Sequence, residues 1–330
     1  MRAYYYVKNC PENAVCSTGF AVLRAKQGVD SRFVYYLMTE NSFVDYLTLV
    51  AKGSAYPAVD ANDFNRAKVI IPDLPTQTRI ADILSAYDDL IENNNRRIAL
   101  LEQSAQELYK EWFVRFRFPG YEKVKFENGL PKGWEIKKIG ELFEVTSSKR
   151  VYQSDYVNEG VPFYRSKEII QLAQGQAISE PLFISKVAFN NFKNKYGSPK
   201  KNDILITSVG TIGVSYLVDE HDFYFKDGNL TWIRSGSNPI LALYLFQWLN
   251  LRDGKQQLLQ STIGTSQSAL TIENLKKIKV VVPDSDLAEK YYAKAQTMIE
   301  EKRALQQKNQ NLMAQRDLLL PRLMSGKLEV

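Results

Sequence analysis

Basic and polar side chains that could bind nucleic acid are concentrated in three clusters between residues 147 and 201. The segment 147–153 is polar and turn-like. The segment 163–167 would place Arg165 and Lys167 on one side of an extended strand, and the segment 186–201 is rich in lysine. Lys and Arg neutralise phosphates, and Arg, Lys, Asn and Gln also read base edges. The candidate DNA contacts are Lys149, Arg150, Tyr152, Arg165, Lys167, Lys193, Lys195, Lys200 and Lys201.

Each cluster also has an ordinary structural explanation. A lysine-rich loop is more often a solvated surface than a phosphate contact. Gln267 is a further candidate, because the Gly-, Thr- and Ser-containing segment 264–268 could hold a phosphate with its backbone amides. A structural turn is the favoured interpretation of that segment.

The sequence offers little for catalysis or for a metal. His221 is the only histidine and stands in an acidic turn, and Cys10 and Cys16 do not have the spacing of a zinc site. It contains no Gly-rich phosphate loop and no Asn/Asp-Pro-Pro-Tyr/Phe segment of an adenine methyltransferase. We therefore predict no catalytic residue, no metal and no cofactor.

Two long helices are expected to position these clusters. From Ile80 onward, apolar residues recur in alternating steps of four and three, and the pattern starts again 211 residues later at Tyr291. Such a stripe buries itself against another helix. The globular segment between the two patterns favours an antiparallel pair. The expected contacts are Ile80, Leu84, Tyr87, Ile91, Asn94, Ile98, Leu101 and Leu108 of the first helix, and Met298, Leu305, Leu312 and Leu319 of the second.

Polar residues interrupt both stripes. Asn94 interrupts the first, and Lys302, Asn309 and Arg316 interrupt the second. A buried Asn fixes register at some cost in stability. At the offset of 211 residues, Asn94 and Asn309 are predicted to fall in different layers of the pair.

The helices belong to an internal repeat with the same offset. The run VIIPD at 69–73 matches VVVPD at 280–284, and residues 53–59 lie over residues 264–270. The first copy has no counterpart of residues 134–211. A repeat of this kind predicts two copies of one supersecondary unit, each a globular part followed by a long helix.

The globular parts are predicted to be mixed α/β. Strand composition occurs in the first copy at 4–7, 20–24 and 67–72, with one helix from Ser31 to about residue 52. In the second copy strands are predicted at 142–145, 161–164, 203–207, 212–218, 230–234 and 279–284. The predicted fold class is α/β: globular mixed domains joined by two long antiparallel coiled-coil helices, with pseudo-two-fold symmetry.

Composition is that of an ordinary globular protein with a mild basic excess. The 330 residues carry a net charge of +6, with a sequence pI of about 9.0. A basic protein favours an acidic partner such as nucleic acid. No apolar run approaches the roughly 20 residues that span a bilayer, so we expect a cytoplasmic protein without a membrane partner.

Taken in order, these motifs resemble the specificity (S) subunit of type I restriction–modification systems. The resemblance rests on PKGWE at 131–135, NDILITSVGTIG at 202–213, GTSQSAL at 264–270 and LLLPRLMSGKL at 318–328. It implies target-recognition domains that each read half of a split DNA site. It also implies paired helices that act as a ruler and as the dock for methyltransferase subunits.

The resemblance also implies domain boundaries. Residues 1–74 would form a partial first target-recognition domain, 75–117 the first long helix and 118–133 a linker. Residues 134–284 would form a second, complete recognition domain, 285–324 the second long helix and 325–330 a tail.

The expected function is that of a non-catalytic DNA-specificity subunit. Its expected partners are double-stranded DNA, two methyltransferase subunits and, through them, restriction subunits. The alternatives are a truncated or silent variant that sequesters methyltransferase subunits, and a half-subunit that self-associates to read a symmetric site.

Overall fold

The computed structural model describes residues 4–53, 58–264 and 268–330, and the chain divides into two compact units. Unit 1 comprises Met1–Arg96 and Lys308–Val330, and unit 2 comprises Arg97–Gln307. The helices are α1 Ser31–Thr39, α2 Asn41–Val50, α3 Ala61–Arg66, α4 Leu74–Tyr109, α5 Ile139–Leu142, α6 Ser166–Ala173, α7 Lys186–Tyr196, α8 Pro239–Asn250, α9 Arg252–Gln260, α10 Ile272–Lys277 and α11 Ser285–Met324. The strands are β1 Phe126–Glu127, β2 Leu130–Pro131, β3 Glu135–Lys138, β4 Glu144–Thr146, β5 Tyr156–Val157, β6 Val161–Tyr164, β7 Leu182–Ile184, β8 Ile204–Thr207, β9 Ser215–Leu217, β10 Tyr224–Phe225, β11 Leu230–Arg234 and β12 Lys279–Val282.

Unit 2 is built on two four-stranded sheets. The first has the order β4-β11-β8-β9 and is antiparallel throughout. All four residues of β8 are buried, as expected for an apolar strand covered on both faces. The second sheet has the order β10-β6-β7-β5 and contains one parallel pair, β10 with β6. The separate pair β12-β3 is antiparallel and closes the unit.

An aromatic cluster joins both long helices to α8 within unit 2. Ring centroids of Phe113 lie 4.8 Å from Tyr244 and 4.9 Å from Tyr291, and Tyr109 lies 5.0 Å from Tyr244. Tyr109 and Tyr291 are almost completely buried. Burial raises the pKa of both hydroxyls, so they stay neutral. A π-helical turn at Lys110–Val114 carries Phe113 into this cluster.

The two long helices run antiparallel in each unit, which confirms the predicted fold class. In unit 1, Asp88 forms an ion pair with Arg316, and Asn94 Nδ2 donates a hydrogen bond of 2.8 Å to Asn309 Oδ1. In unit 2, Glu102 pairs with Lys302 at 2.6 Å and Tyr109 packs on Tyr291. As the residue number increases along α4, the number of its contact residue on α11 decreases.

The prediction that Asn94 and Asn309 lie in different layers is wrong. A constant difference of 211 relates equivalent positions of the repeat, whereas antiparallel helices bring together positions whose numbers have a nearly constant sum. The two amides are buried and bond to each other. Lys302 and Arg316, the other interruptions of the second stripe, likewise meet Glu102 and Asp88.

Every predicted contact residue of the stripes is at least half-buried. Ile80, Leu84, Asn94 and Leu305 are buried. The remaining residues, which are partly exposed, are Tyr87, Ile91, Ile98, Leu101, Leu108, Met298, Leu312 and Leu319.

Unit 1 departs from its predicted strands. Residues 4–7, 20–24 and 67–72 form no strand, and the helix predicted from Ser31 is broken at Glu40, whose side chain caps α2 by accepting a hydrogen bond from Ser42 N. Strand composition alone does not form a strand, because the backbone needs a partner to pair with. Tyr5, Phe20 and Val22 are largely exposed. The core of unit 1 is helical and packs around Phe33, Leu84 and Leu323.

In unit 2 most predicted strands are confirmed, at 161–164, 203–207, 230–234 and 279–284. The strand predicted at 142–145 lies two residues later as β4, because Leu142 closes the short helix α5. The strand predicted at 212–218 is limited to β9, since Gly213 forms a turn with a φ of +86°. Among the described residues, no helix is long and apolar enough to cross a membrane.

Candidate nucleic-acid interface

Two exposed lysines of unit 2, Lys149 and Lys195, lie beside the partly exposed ring of Tyr196, and the exposed residues Arg150 and Tyr152 follow Lys149 closely in the chain. We call these five residues the Tyr196 patch. The ammonium groups of Lys149 and Lys195 lie 5.1 and 5.3 Å from the centroid of the Tyr196 ring. Neither lysine forms an ion pair within the part of the chain that the structure describes. Two free cations beside an aromatic ring can bind a phosphate and a base or sugar.

Arg150 extends the patch from the segment that follows β4. Its Nε donates to Asp227 Oδ2 at 3.1 Å, and its side chain stays 65% exposed. The hydrogen bond to Asp227, with a smaller contribution from Tyr152, raises the pKa of the guanidinium. Arg150 is thus held at Nε by Asp227 while its side chain stays largely exposed.

Contacts of Arg234 fix the backbone at Tyr196. Arg234 Nη2 donates to the carbonyl of Tyr196 at 2.5 Å, which satisfies the C-terminal end of α7. The guanidinium also lies 4.0 Å over the Trp232 ring. The position of the Tyr196 ring therefore follows from α7 and β11 together.

Asp203 holds the turn that follows α7. Its carboxylate is buried and accepts hydrogen bonds from Trp232 Nε1 at 2.8 Å, from Lys200 N at 2.9 Å, and from the backbone and hydroxyl of Ser235. Asn202 takes a left-handed φ of +71°, a conformation that Asn tolerates better than most residues. The NDILIT motif is therefore structural, and Lys200 is presented on a fixed turn with its side chain exposed.

The strand geometry predicted for Arg165 and Lys167 is wrong. Arg165 is the N-cap residue of α6, and Lys167 lies inside that helix. Arg165 donates from Nη2 and Nε to Glu168, at 2.6 and 3.1 Å, and Glu168 is completely buried. The guanidinium neutralises a buried carboxylate, so Arg165 has a structural role. The spacing of Arg165 and Glu168, three residues apart, could have indicated this pair.

Three predicted lysines are already paired with carboxylates. Lys167 contacts Glu180 at 2.9 Å, Lys193 contacts Asp222 at 3.1 Å, and Lys201 contacts Glu220 at 2.6 Å. The hydrogen bonds lower the pKa of Glu180 and of Glu220, so both stay ionised. These lysines differ from Lys149 and Lys195, because DNA would have to displace a carboxylate to reach them.

The remaining predicted contact, Gln267, and the ring of Tyr196 differ in how the sequence indicated them. Gln267 lies outside the described residues. Tyr196, the residue on which the two free lysines converge, was not among the candidate contacts, and its signal in the sequence was only its place between Lys195 and Gly197. No group of three or more His, Cys, Asp or Glu within the described ranges could hold a metal ion.

A free basic patch on a mixed α/β unit, carried by a chain with two long paired helices, defines a candidate nucleic-acid-binding protein. The family model described as "Type I restriction modification DNA specificity domain" matches residues 4–103 and 131–313. The chain belongs to this family.

Similar proteins carry the same description. The chain is 28% identical over 331 residues to the type I restriction enzyme MjaIX specificity subunit of Methanocaldococcus jannaschii, an alignment that covers 98% of this chain and 75% of the relative. It is 27% identical over 271 residues to a putative type I restriction enzyme specificity subunit of Haemophilus influenzae, covering 79% of this chain and 62% of that protein. The chain thus spans about two thirds to three quarters of the length of these relatives.

A solved structure supports the fold. The crystal structure of a type I restriction–modification S subunit from M. genitalium superposes with a TM-score of 0.57 and 18% identity, covering 90% of this chain and 73% of that one. At this identity the likeness concerns the fold alone.

Proposed function

We propose that this chain is the DNA-specificity component of a type I restriction–modification assembly, and that unit 2 contacts duplex DNA through the Tyr196 patch. The family membership supports recognition of a DNA target. The observation that supports this assignment is that Lys149 and Lys195, which form no ion pair among the described residues, both lie beside the partly exposed ring of Tyr196. Their charges are free to replace condensed counterions on the phosphates.

In this proposal the chain selects the DNA sequence and does not catalyse a reaction. Its relatives are named specificity subunits, and adenine methylation would come from separate methyltransferase subunits. We assign the docking of two methyltransferase subunits to the exposed faces of α4 and α11. Restriction subunits would join through the methyltransferases.

The patch can be tested with a charge comparison. The double variant Lys149→Ala/Lys195→Ala removes the two free cations, and Lys167→Ala/Lys201→Ala removes two paired ones. We expect the first to weaken binding to a random-sequence duplex library by about tenfold and to reduce the slope of log K against log salt by about 2, because each phosphate contact contributes about 0.9. The second should change the slope by well under half as much.

The measurement is a titration by fluorescence anisotropy at several salt concentrations, with the methyltransferase subunits present. Equal salt slopes for the two double variants would contradict the assignment of the patch. Salt-insensitive binding of the unmodified assembly would contradict DNA recognition itself.

The pattern of methylated adenines distinguishes a chain that directs methyltransferase subunits to a DNA sequence from one that only sequesters them. When this chain is added to methyltransferase subunits in a host without another specificity subunit, long-read sequencing should show methylated adenines within one defined sequence. In a second host that already has an active specificity subunit, loss of the existing methylation without a new methylated sequence would identify a sequestering protein.

A further inference from the structure

The two copies of the internal repeat have the same local structure at residues 60–67 and 271–278. Helix α3 begins after Asp60, which accepts hydrogen bonds from Asn62 N and Asp63 N, and helix α10 begins 211 positions later after Thr271, which accepts from Asn274 N. Both helices have six residues. The residue that ends each helix has nearly the same backbone angles, φ −62° and ψ 130° at Ala67 against φ −61° and ψ 130° at Ile278.

The two copies also have the same local structure after residues 68–71 and 279–282. Asp73 Oδ1 accepts a hydrogen bond from Thr76 N at 3.1 Å at the start of α4, and Asp284 Oδ1 accepts from Leu287 N at 3.0 Å at the start of α11. These atoms are again 211 positions apart. Residues 68–71 therefore have the same local structure immediately before and after them as β12 has.

Only the pairing differs. Strand β12 forms four antiparallel pairs with β3, and Val280 is 3% exposed. The equivalent residues 68–71 pair with no strand among the described residues. The apolar side chains there, Val69, Ile70 and Ile71, are 37%, 77% and 49% exposed. An unpaired apolar edge of this kind is a template for another strand.

A cavity of about 940 Å³ lies beside this edge in unit 1. Its walls include Val69 and Ile70 on the edge, Phe43 on α2, and Met324 at the end of α11. In unit 2 the partner strand β3 leads directly into α5, where Ile139 is completely buried and its N–H donates to the carbonyl of Ile278 at 2.9 Å. The carbonyl of Ala67 is the equivalent acceptor in unit 1.

We infer that residues 68–71 form a docking edge for an extended segment of a partner polypeptide that is not a second copy of this chain. The second copy of the repeat defines the chemistry of that segment: four extended residues with the polar–aliphatic character of Glu135–Lys138, running antiparallel, followed by a helical turn that opens with a buried aliphatic residue. The bound segment pairs its backbone with residues 68–71 and places the aliphatic residue in the cavity. This mode of recognition is β-strand addition.

The test uses the full chain and a synthetic peptide with the sequence of residues 134–143, WEIKKIGELF. Hydrogen–deuterium exchange with the peptide in excess should slow at residues 68–71 by about tenfold. A control peptide with Lys137→Pro and Ile139→Asp lacks one backbone donor and the buried aliphatic group, and should give no protection.

Two variants of the chain separate docking from folding. Val69→Asp places a charge where the segment would dock and should abolish the protection. Leu49→Asp is a matched control, because Leu49 is 85% exposed in the same unit and does not line the cavity. This variant should keep the protection.

Several results would overturn the inference. Absence of protection at residues 68–71, equal protection by the two peptides, or full protection in Val69→Asp would each do so. A homodimer in light scattering without peptide, converted to monomer by Val69→Asp, would assign the edge to a second copy of this chain instead. None of these outcomes depends on DNA binding.

Discussion

The two copies of the repeat show how one local sequence gives a strand in one place and none in the other. Residues 68–71 and 279–282 have similar composition, follow equivalent helices and precede equivalent capping aspartates. Only the second segment is a strand, because β3 supplies the backbone donors and acceptors with which it pairs. The local sequence therefore fixes the path of the backbone, and a non-local partner decides whether that path becomes a strand.

The largest expected difference between the copies is at Val280 and Val69. Val280→Asp would bury an unpaired carboxylate between β12 and the core, and should lower the free energy of unfolding by about 3 kcal/mol or more. Val69→Asp should change it by less than about 0.5 kcal/mol, since this side chain is already partly in solvent.

Urea unfolding can follow the Val280 effect through tryptophan fluorescence, because all four tryptophans belong to unit 2. The Val69 effect is measured by hydrogen exchange of α3. Equal losses in the two variants would mean that the exposed edge of unit 1 is covered in the free protein.

A smaller difference concerns two tyrosines from equivalent helices. The Tyr244 hydroxyl donates to the carbonyl of Val281 at 2.6 Å, whereas the Tyr36 hydroxyl donates to the Asp88 carboxylate at 2.6 Å. Tyr244→Phe should cost about 1 kcal/mol and raise hydrogen exchange in β12. Tyr36→Phe should cost about 1–2 kcal/mol, because its acceptor is charged, and raise exchange in α1. The reverse assignment of the exchange effects would contradict these contacts.

The smallest difference is the pH dependence of the two helix caps. The hydrogen bond from Lys52 is the main cause that lowers the pKa of Asp60, so the ionised cap stabilises α3 above the usual aspartate pKa of about 3.9. That contribution is lost as the pH falls through the lowered pKa. The Thr271 cap does not ionise.

Amide NMR between about pH 6 and pH 2.5 measures this difference. The Asn62 signal should shift with a midpoint below about 3.9, and the Asn274 signal should shift far less. A midpoint above the ordinary aspartate value at Asp60 would contradict the Lys52 contact.

Periodic features of the fold could be predicted from the sequence. The stripes that start at Ile80 and Tyr291 predict both long helices, because periodicity is a local property of the chain. The partner of each polar interruption could not be predicted in the same way. Asn94 and Asn309 are 215 positions apart, and only the antiparallel geometry brings them together.

The candidate site shows the same limit. The composition of the three basic clusters predicts which residues are cationic, but it does not predict which carboxylates they pair with. Lys201 pairs with Glu220, 19 positions away, whereas Lys149 has no ion pair within the described residues and lies by Tyr196. Whether a lysine is available to DNA depends on these tertiary contacts.

The Asn94–Asn309 bond also restricts which helices can exchange. Sliding α11 by one turn along α4 would leave two buried amides without partners, each costing about 1–3 kcal/mol. A homologous helix with leucine at the level of Asn309 would meet the same penalty at Asn94. Exchange of either long helix for that of a homologous chain would therefore carry this cost unless both asparagines are kept or both are replaced.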